Sequence, residues 1–177
     1  SSKGYYTAVS RIDRVCFHAR ATPELSPAAP HDALPICEAR RDVLLGLDEG
    51  TCRDLLTVRR ELPIESAAIV LLHAYANPEH ERRVADILRA ALPELWLTLS
   101  SEVCPEIREY ERMSTASANA YVQPLMASYL ADLDDRLRAE GTRCPLYMMT
   151  SGGGLTTVET ARRHPIRLVE SGPAGGA

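Results

Sequence analysis

The stretch AAIVLLHAYANPEHERRVADILRAALPELWLTL, residues 67–99, decides the fold. Ala67-Ala68-Ile69-Val70-Leu71-Leu72 is an unbroken apolar run rich in branched side chains. A strand covered on both faces reads this way, because both sets of alternating side chains meet apolar neighbours, as in a parallel sheet. Asn77-Pro78-Glu79 has the marks of a helix start: Asn to cap the first amides, Pro where no amide partner is lost, and acid in the first turn. Val84, Ile87, Leu88 and Leu92 recur at helical spacing and form its apolar face. Leu95-Trp96-Leu97-Thr98-Leu99 predicts a second strand. Strand, helix and strand in that order predict a right-handed parallel crossover and an α/β class.

Toward the C-terminus, Ser100 to Pro105 reads as a loop, and a long helix is expected from about Thr115 to Glu140. Val122, Leu125, Tyr129, Leu133 and Leu137 give that helix one apolar stripe, with most of its charges off it. Pro124 inside it predicts a kink or a break. Gly141 is a suitable stop, since glycine adopts the left-handed conformation that ends helices. Leu146 to Thr150 predicts a third strand, Ser151-Gly152-Gly153-Gly154 a tight turn, Thr156 to Arg163 a short helix, and Ile166 to Val169 a fourth strand.

Toward the N-terminus the pattern weakens. Leu55, Leu56, Val58 and Leu62 have rough helical spacing that Pro63 stops. In residues 1–50, Pro23, Pro27, Pro30 and Pro35 break any regular pattern and predict loop or disorder. His31-Asp32-Ala33-Leu34-Pro35-Ile36 matches the translation of a common sequencing-library adapter end. Two origins stay open for it: an assembly artefact with a displaced reading frame on its N-terminal side, or a natural Pro-rich loop. No function is assigned to residues 15–40.

The 177 residues carry a formal charge of −4 and are 45 % apolar, enough for an ordinary core. Mild acidity argues against a nucleic-acid binder, which shows a basic stripe. No apolar run reaches the roughly 20 residues that span a bilayer, and no signal peptide is visible. The five cysteines (Cys16, Cys37, Cys52, Cys104, Cys144) are dispersed without a CxxC pair and read as reduced thiols of a cytoplasmic protein. No GxSxG elbow or Ser-His-Asp order is present, so hydrolysis by an activated serine has no sequence signal.

Three strings carry a family likeness: LLHAYANPEHERR (71–83), SSEVCPEIREYERMSTASANAYVQPL (100–125) and MTSGGGLTTVETARRHPIRLVESGPAGGA (149–177). Together they resemble the A-type subunits of the hydantoinase/oxoprolinase family, which includes ATP-dependent N-methylhydantoinase, 5-oxoprolinase and the corresponding acetone and acetophenone carboxylase subunits. Ser2-Lys3-Gly4-Tyr5 is similar to the family's Thr-Lys-Gly-Phe segment. The resemblance implies a fragment of an actin/hexokinase-like (ribonuclease H-like) ATPase fold, with mixed sheets and flanking helices. Residues 1–114 would be the end of the family's N-terminal domain, and 115–177 the start of its ATPase domain. The resemblance further implies ATP, Mg²⁺, a small cyclic-amide substrate opened after ATP activates its oxygen, a hydantoinase B-type partner and an oligomer. The family's Asp-x-Gly-Gly-Thr phosphate loops do not occur in this sequence. One would precede Ser1 and the other follow Ala177, so the chain is expected to be inactive alone.

Within these strings, Ser151, Gly152, Gly153 and Gly154 are candidate phosphate contacts, because glycines let backbone amides approach an anion at a helix start. A plain tight turn capped by Thr156 or Thr157 is the competing reading. Ser171, Gly172, Gly175 and Gly176 invite the same pair of readings, nucleotide contact or close helix packing. His73 at a strand's carboxyl end is a weak metal candidate, since ligands of parallel sheets gather there. His80 and Glu81 read as solvated first-turn residues. Glu106, Arg108, Glu109, Glu111 and Arg112 either line a site, with arginine gripping a carboxylate or phosphate, or form an exposed face of weak ion pairs. Asn119, an amide in an apolar helix, is expected to tie the helix to a neighbouring loop.

Overall fold

The structure, a computed structural model, describes residues 5–10, 15–20, 36–37, 43–45, 47 and 64–176. The expected helix over Leu55–Leu62, the Ser2-Lys3-Gly4 segment, Cys52 and residues 31–35 lie outside these. The chain divides into two compact units, Ser1–Ala120 and Tyr121–Ala177.

In the first unit, β1 (Tyr5–Ser10) pairs antiparallel with β2 (Val15–Arg20). A short antiparallel pair follows, β3 (Ile36–Cys37) with β4 (Val43–Leu45). β2 also pairs antiparallel with β5 (Ile64–Ile69), and β5 runs parallel to β6 (Trp96–Leu99), giving a mixed sheet of order β1-β2-β5-β6. Between β5 and β6 lies α1 (Glu79–Ala91), so the expected parallel crossover is present. The strand sits earlier than expected. Its ladder with β6 stops at Ile69↔Leu99, and Val70 to Leu72 leave the sheet although Val70 and Leu71 stay buried.

Alternation explains the apolar run. Ile69 and Leu71 pack with Ala74, Val84, Ala85, Leu88 and Leu99, while Ala68 and Val70 pack in a separate cluster with Ala116 and Ala120. Odd and even positions thus serve two cores, which is why no position in the run is polar. Asn77 Oδ1 accepts from the Glu79 N–H at 3.1 Å, but Pro78 is the N-cap of α1, so Asn77 and Pro78 each stand one position earlier than expected. Ser100–Val103 forms a single helical turn, α2, where a loop was expected; the Cys104 N–H closes it on the Ser100 carbonyl at 3.0 Å.

α3 (Glu109–Ala139) starts earlier than expected and runs unbroken through Pro124, so the expected break is absent. Its expected stripe is also wrong in part: Leu125 is 74 % and Tyr129 55 % exposed. The buried positions are Arg112, Ala116, Asn119, Ala120, Gln123, Ala127 and Leu130. They recur every three or four residues, but they are mostly small or polar, so a search for large apolar side chains selects a different face.

In the second unit, Gly141 (φ +90°) ends α3 as expected. The Thr142 N–H bonds the Leu137 carbonyl and the Gly141 N–H the Arg138 carbonyl, each at 3.0 Å, the paired pattern of a glycine-terminated helix. In the last turn Arg138 donates to Asp134 at 2.9 Å, a hydrogen bond that holds the guanidinium above its ordinary pKa. β7 (Tyr147–Met149) pairs antiparallel with β8 (Leu155–Thr157), and α4 (Val158–Arg163) follows at once, Thr157 capping it by accepting from the Thr160 N–H at 3.2 Å. Pro165–Leu168 is a turn of 3₁₀ helix, not the expected fourth strand. Proline there has a fixed φ suited to a helical turn and no N–H for a ladder. α5 (Ser171–Gly176) closes the described chain. Among the described residues no helix is long and apolar enough to cross a membrane.

Candidate functional site

The carboxyl ends of β5 and β6 are where an open α/β sheet presents its ligand-binding loops. Here the loop after β5 is gripped by a buried charged network. Glu81 lies one turn before Val84 and Ala85 on the inward face of α1 and is fully buried. Its Oε1 accepts from the Leu71 N–H at 3.0 Å and the Ser100 hydroxyl at 2.5 Å. Its Oε2 accepts from the N–H and the hydroxyl of Ser101, at 2.9 and 2.7 Å. The solvated role expected for Glu81 is therefore wrong. The carboxylate has left water because four donors replace it, the condition under which a charge can be buried.

Arg112, in the first turn of α3, is the counter-charge and is also fully buried. Its Nε donates to the Ser100 Oγ at 3.0 Å, and its two terminal nitrogens donate to the carbonyls of Glu106 at 3.0 Å and Leu71 at 2.7 Å. Ser100 thus joins cation and anion, accepting from one and donating to the other. Both backbone groups of Leu71 are held, the N–H by the anion and the carbonyl by the cation. Of the expected charged cluster, Arg112 belongs to this network, whereas Arg108 and Glu111 form an exposed pair at 3.3 Å. Asn119 donates to Thr98 Oγ1 at 2.9 Å, so it ties α3 to strand β6 rather than to a loop.

Two residues beyond Leu71, His73 adopts a left-handed backbone, φ 52°. Histidine tolerates this better than most residues, but such conformations still cost on the order of 1–3 kcal/mol and persist where surroundings enforce them. Here the N–H groups of Ala76 and Asn77 bond the His73 carbonyl at 2.9 and 3.2 Å. The imidazole Nδ1 lies 3.3 Å from the Tyr75 hydroxyl, the two rings meeting edge to face at 5.8 Å. The Arg112 guanidinium sits 5.7 Å from the centre of the Tyr75 ring, within cation–π range. His73 and Tyr75 are each half-buried, so solvent reaches the pair.

With four donors on its two oxygens, Glu81 has no free acceptor position for a metal. Among the described residues no three His, Cys, Asp or Glu side chains converge on a possible metal position, His73 included. A concavity of about 620 Å³ lies instead along the first turns of α1, between Asn77 and Asp86. One continuous stretch lines it, with Glu79, Arg82, Arg83 and Asp86 among its residues, and no second element closes it into a small-molecule site.

The two glycine segments sit in the second unit. Ser151, Gly152, Gly153 and Gly154 link two antiparallel strands, not a strand to a helix, so no helix begins directly from them. All four are exposed. The Ser151 N–H bonds the Arg167 carbonyl at 2.8 Å and the Gly153 N–H the Thr150 carbonyl at 3.0 Å, leaving the amides of Gly152 and Gly154 for any anion. Ser171, Gly172, Gly175 and Gly176 form α5, where the nearest atom to a β-carbon built on Gly175 is Met149 Cγ at 3.8 Å.

The family profile for the hydantoinase/oxoprolinase N-terminal region matches residues 20–92, and the hydantoinase/oxoprolinase profile matches 112–177. The chain belongs to the hydantoinase/oxoprolinase family. It is 35 % identical over 128 residues to the alpha chain of caprolactamase from Pseudomonas jessenii, an alignment covering 72 % of this chain and 18 % of that one. It is 33 % identical over 159 residues to 5-oxoprolinase of Saccharomyces cerevisiae, covering 87 % and 12 %. The structure is similar to crystalline ATP-dependent caprolactamase from P. jessenii, with TM-score 0.74, 32 % identity, and 80 % of this chain against 20 % of that one. Nucleotide-free acetone carboxylase is similar too, with TM-score 0.69, 26 % identity, and 81 % against 20 %. This hydantoinase/oxoprolinase chain therefore spans about a fifth of either solved relative. Its fold is the expected α/β arrangement of actin-like ATPase type.

Proposed function

We propose that this chain forms part of an ATP-dependent enzyme that opens small cyclic amides. The observation that carries the reading is the 35 % identity to a caprolactamase chain, and the likeness to 5-oxoprolinase points to the same bond. An amide carbonyl is a poor electrophile. ATP, held with Mg²⁺, would supply a phosphoryl group to the carbonyl oxygen and so make the carbonyl carbon a better electrophile for water. The ring C–N bond then breaks with nitrogen leaving as the amine, and hydrolysis of the acyl phosphate releases phosphate and the ring-opened acid.

Nucleotide contact is assigned within this reading to the Ser151–Gly154 turn and the Ser171–Gly176 helix. The exposed amides of Gly152 and Gly154 suit single contacts to phosphate oxygens, and no phosphoryl step is written through them. The described residues offer no cluster for Mg²⁺. A hydantoinase B-type partner, an oligomeric assembly and a cytoplasmic setting complete the reading, in which the chain by itself is inactive.

The test is to express the complete gene product with its B-type partner and to measure ADP release with 5-oxoproline, hydantoin and caprolactam. ADP release that depends on one of these rings, with the ring-opened acid as product, is expected. The likeness to acetone carboxylase favours a second reading, ATP-driven carboxylation of a ketone. ADP release that needs acetone or acetophenone with bicarbonate, and ignores every ring, would decide for it.

A further inference from the structure

We infer that the outer face of α3, centred on Tyr121, Leu125 and Tyr129, is an internal interface, covered in the complete enzyme by an element of the same polypeptide beyond residue 177. The inference rests on the reading of this chain as part of a longer enzyme, and not on which bond that enzyme breaks.

In this stretch the helix is apolar on two sides. Ala127 and Leu130 are buried on one. Tyr121, Leu125 and Tyr129 follow at four-residue spacing on the other, and are 46 %, 74 % and 55 % exposed. A helix that is apolar all round is buried, either in a large core or in a membrane. Among the described residues no helix is long and apolar enough to cross a membrane, which leaves a core. Charge points the same way. From Met113 to Ala131, about five helical turns, the sequence holds no Asp, Glu, Lys, Arg or His. The solvated side of a helix ordinarily carries such residues. The last turns of α3 do so, with Asp132, Asp135, Arg136 and Arg138 all exposed. The covered region should therefore end between Tyr129 and Asp132.

Area and length decide what covers it. A whole tyrosine side chain offers about 150–250 Å², so the exposed parts of Tyr121, Leu125 and Tyr129 come to roughly 300 Å². A stable complex of separate molecules needs about 800 Å² from each partner. The stripe is too small to hold a second copy or a separate subunit against the freedom lost on association. A segment of the same polypeptide is already tethered and loses far less. The solved relatives have such a segment to offer, since this chain spans about a fifth of either. The N-terminal-region profile matches residues 20–92, and the second profile, from residue 112, takes in nearly all of α3. In that order most of a relative's remaining length would follow residue 177. The occupant is an uncharged face from that remainder.

The test is hydroxyl-radical footprinting of the complete gene product, unaltered in sequence and purified without its B-type partner. Mass spectrometry reads the oxidation of Tyr121, Leu125 and Tyr129, each against its rate in urea. An uncovered stripe would keep about half of the unfolded rate or more, in line with its exposures, whereas a covered one should fall below about a tenth, as at the desolvated centre of an interface. Protection that survives dilution supports the inference. Protection lost on dilution marks a second copy and overturns it, as does a stripe that oxidises freely until the B-type partner is added. A photoreactive benzoylphenylalanine in place of Ser128, exposed at the edge of the stripe, then locates the occupant. The cross-linked product should have the mass of one polypeptide, with the joined peptide beyond residue 177. A joined peptide within residues 1–177, or a product of doubled mass, would overturn the assignment. Should the Ser128 variant not fold, the footprint of the unaltered protein still decides. The two readings fail separately. A protected stripe in a protein that opens no ring keeps the interface and removes the activity. Ring opening with a freely oxidised stripe keeps the activity and removes the interface.

Discussion

Glu81→Gln is the sharpest test of the buried network, because it keeps the size of the side chain and removes only its charge and one acceptor. Each carboxylate oxygen of Glu81 receives two hydrogen bonds, one of them from a backbone N–H. A glutamine oxygen can keep one of these pairs, and the amide nitrogen must then face the other. The serine hydroxyl in that pair can rotate to accept, but the backbone N–H of Leu71 or Ser101 cannot. One donor is left facing another, at a cost of about 1–3 kcal/mol. Arg112 also stays buried without its anion, and breaking one side of a buried charge pair costs about 3–5 kcal/mol in all. Typical domains are stable by about 5–15 kcal/mol, so the variant should be visibly weakened but still folded.

Urea unfolding followed by tryptophan fluorescence measures this. Trp96 is the only tryptophan and lies in β6, so it reports the first unit without averaging in the second. At a slope of about 2 kcal/mol per molar urea, the midpoint should fall by about 1.5–2.5 M. Arg112→Met should cost a similar amount. The double variant should cost at least about 1 kcal/mol less than the sum, because neither charge is then left alone. A midpoint shift below about 0.5 M for Glu81→Gln, or strict additivity of the two, would refute the network as described.

Three further outcomes are expected. Leu88→Ala, in the fully buried cluster between α1 and the sheet, should cost about 2–5 kcal/mol in the same assay by opening a cavity. Gly141→Ala should cost about 1 kcal/mol by calorimetry, with no clash, since no atom lies within 4 Å of the added β-carbon and only the φ of +90° resists it. Gly152→Ala meets open space in the structure and should leave thermal unfolding unchanged; in the complete enzyme it should raise the KM for ATP if the turn contacts phosphate, and an unchanged KM would remove that assignment.

The parallel crossover was legible because the apolar run of residues 67–72 and the Asn77-Pro78 start each follow from one local rule. The ends of elements were less so. Thr156 and Thr157 look like a helix start, and Thr157 is one, but the three residues before α4 pair with β7, a non-local contact that a cap signal does not encode. That pairing removed the helix start from the glycine turn and with it half of the physical case for a phosphate cradle. The site was least legible where charge was read as solvation. Glu81 stands at helical spacing from Val84, Ala85 and Leu88, and Arg112 stands four and eight residues before Ala116 and Ala120. Periodicity alone puts both on buried faces, and it was their charge that argued for the surface.

That placement bears on why a charged pair is kept at all. A buried ion pair is seldom the most stable solution, and apolar replacements of similar volume often match it. Here such a replacement would leave the Leu71 N–H buried and unpaired and its carbonyl with only the 3.4 Å bond from the Ala74 N–H, since Leu71 has left the ladder and β6 no longer serves it. The chain could recover those bonds only by extending β5 through residue 71, which would pull His73 out of its left-handed turn and away from Tyr75. The pair therefore selects one loop conformation over the straight strand that the apolar run of residues 67–72 would otherwise favour. The shape it holds at His73, rather than its net stabilisation, is the physical reason for carrying two charges into a core built from alanine, valine and leucine.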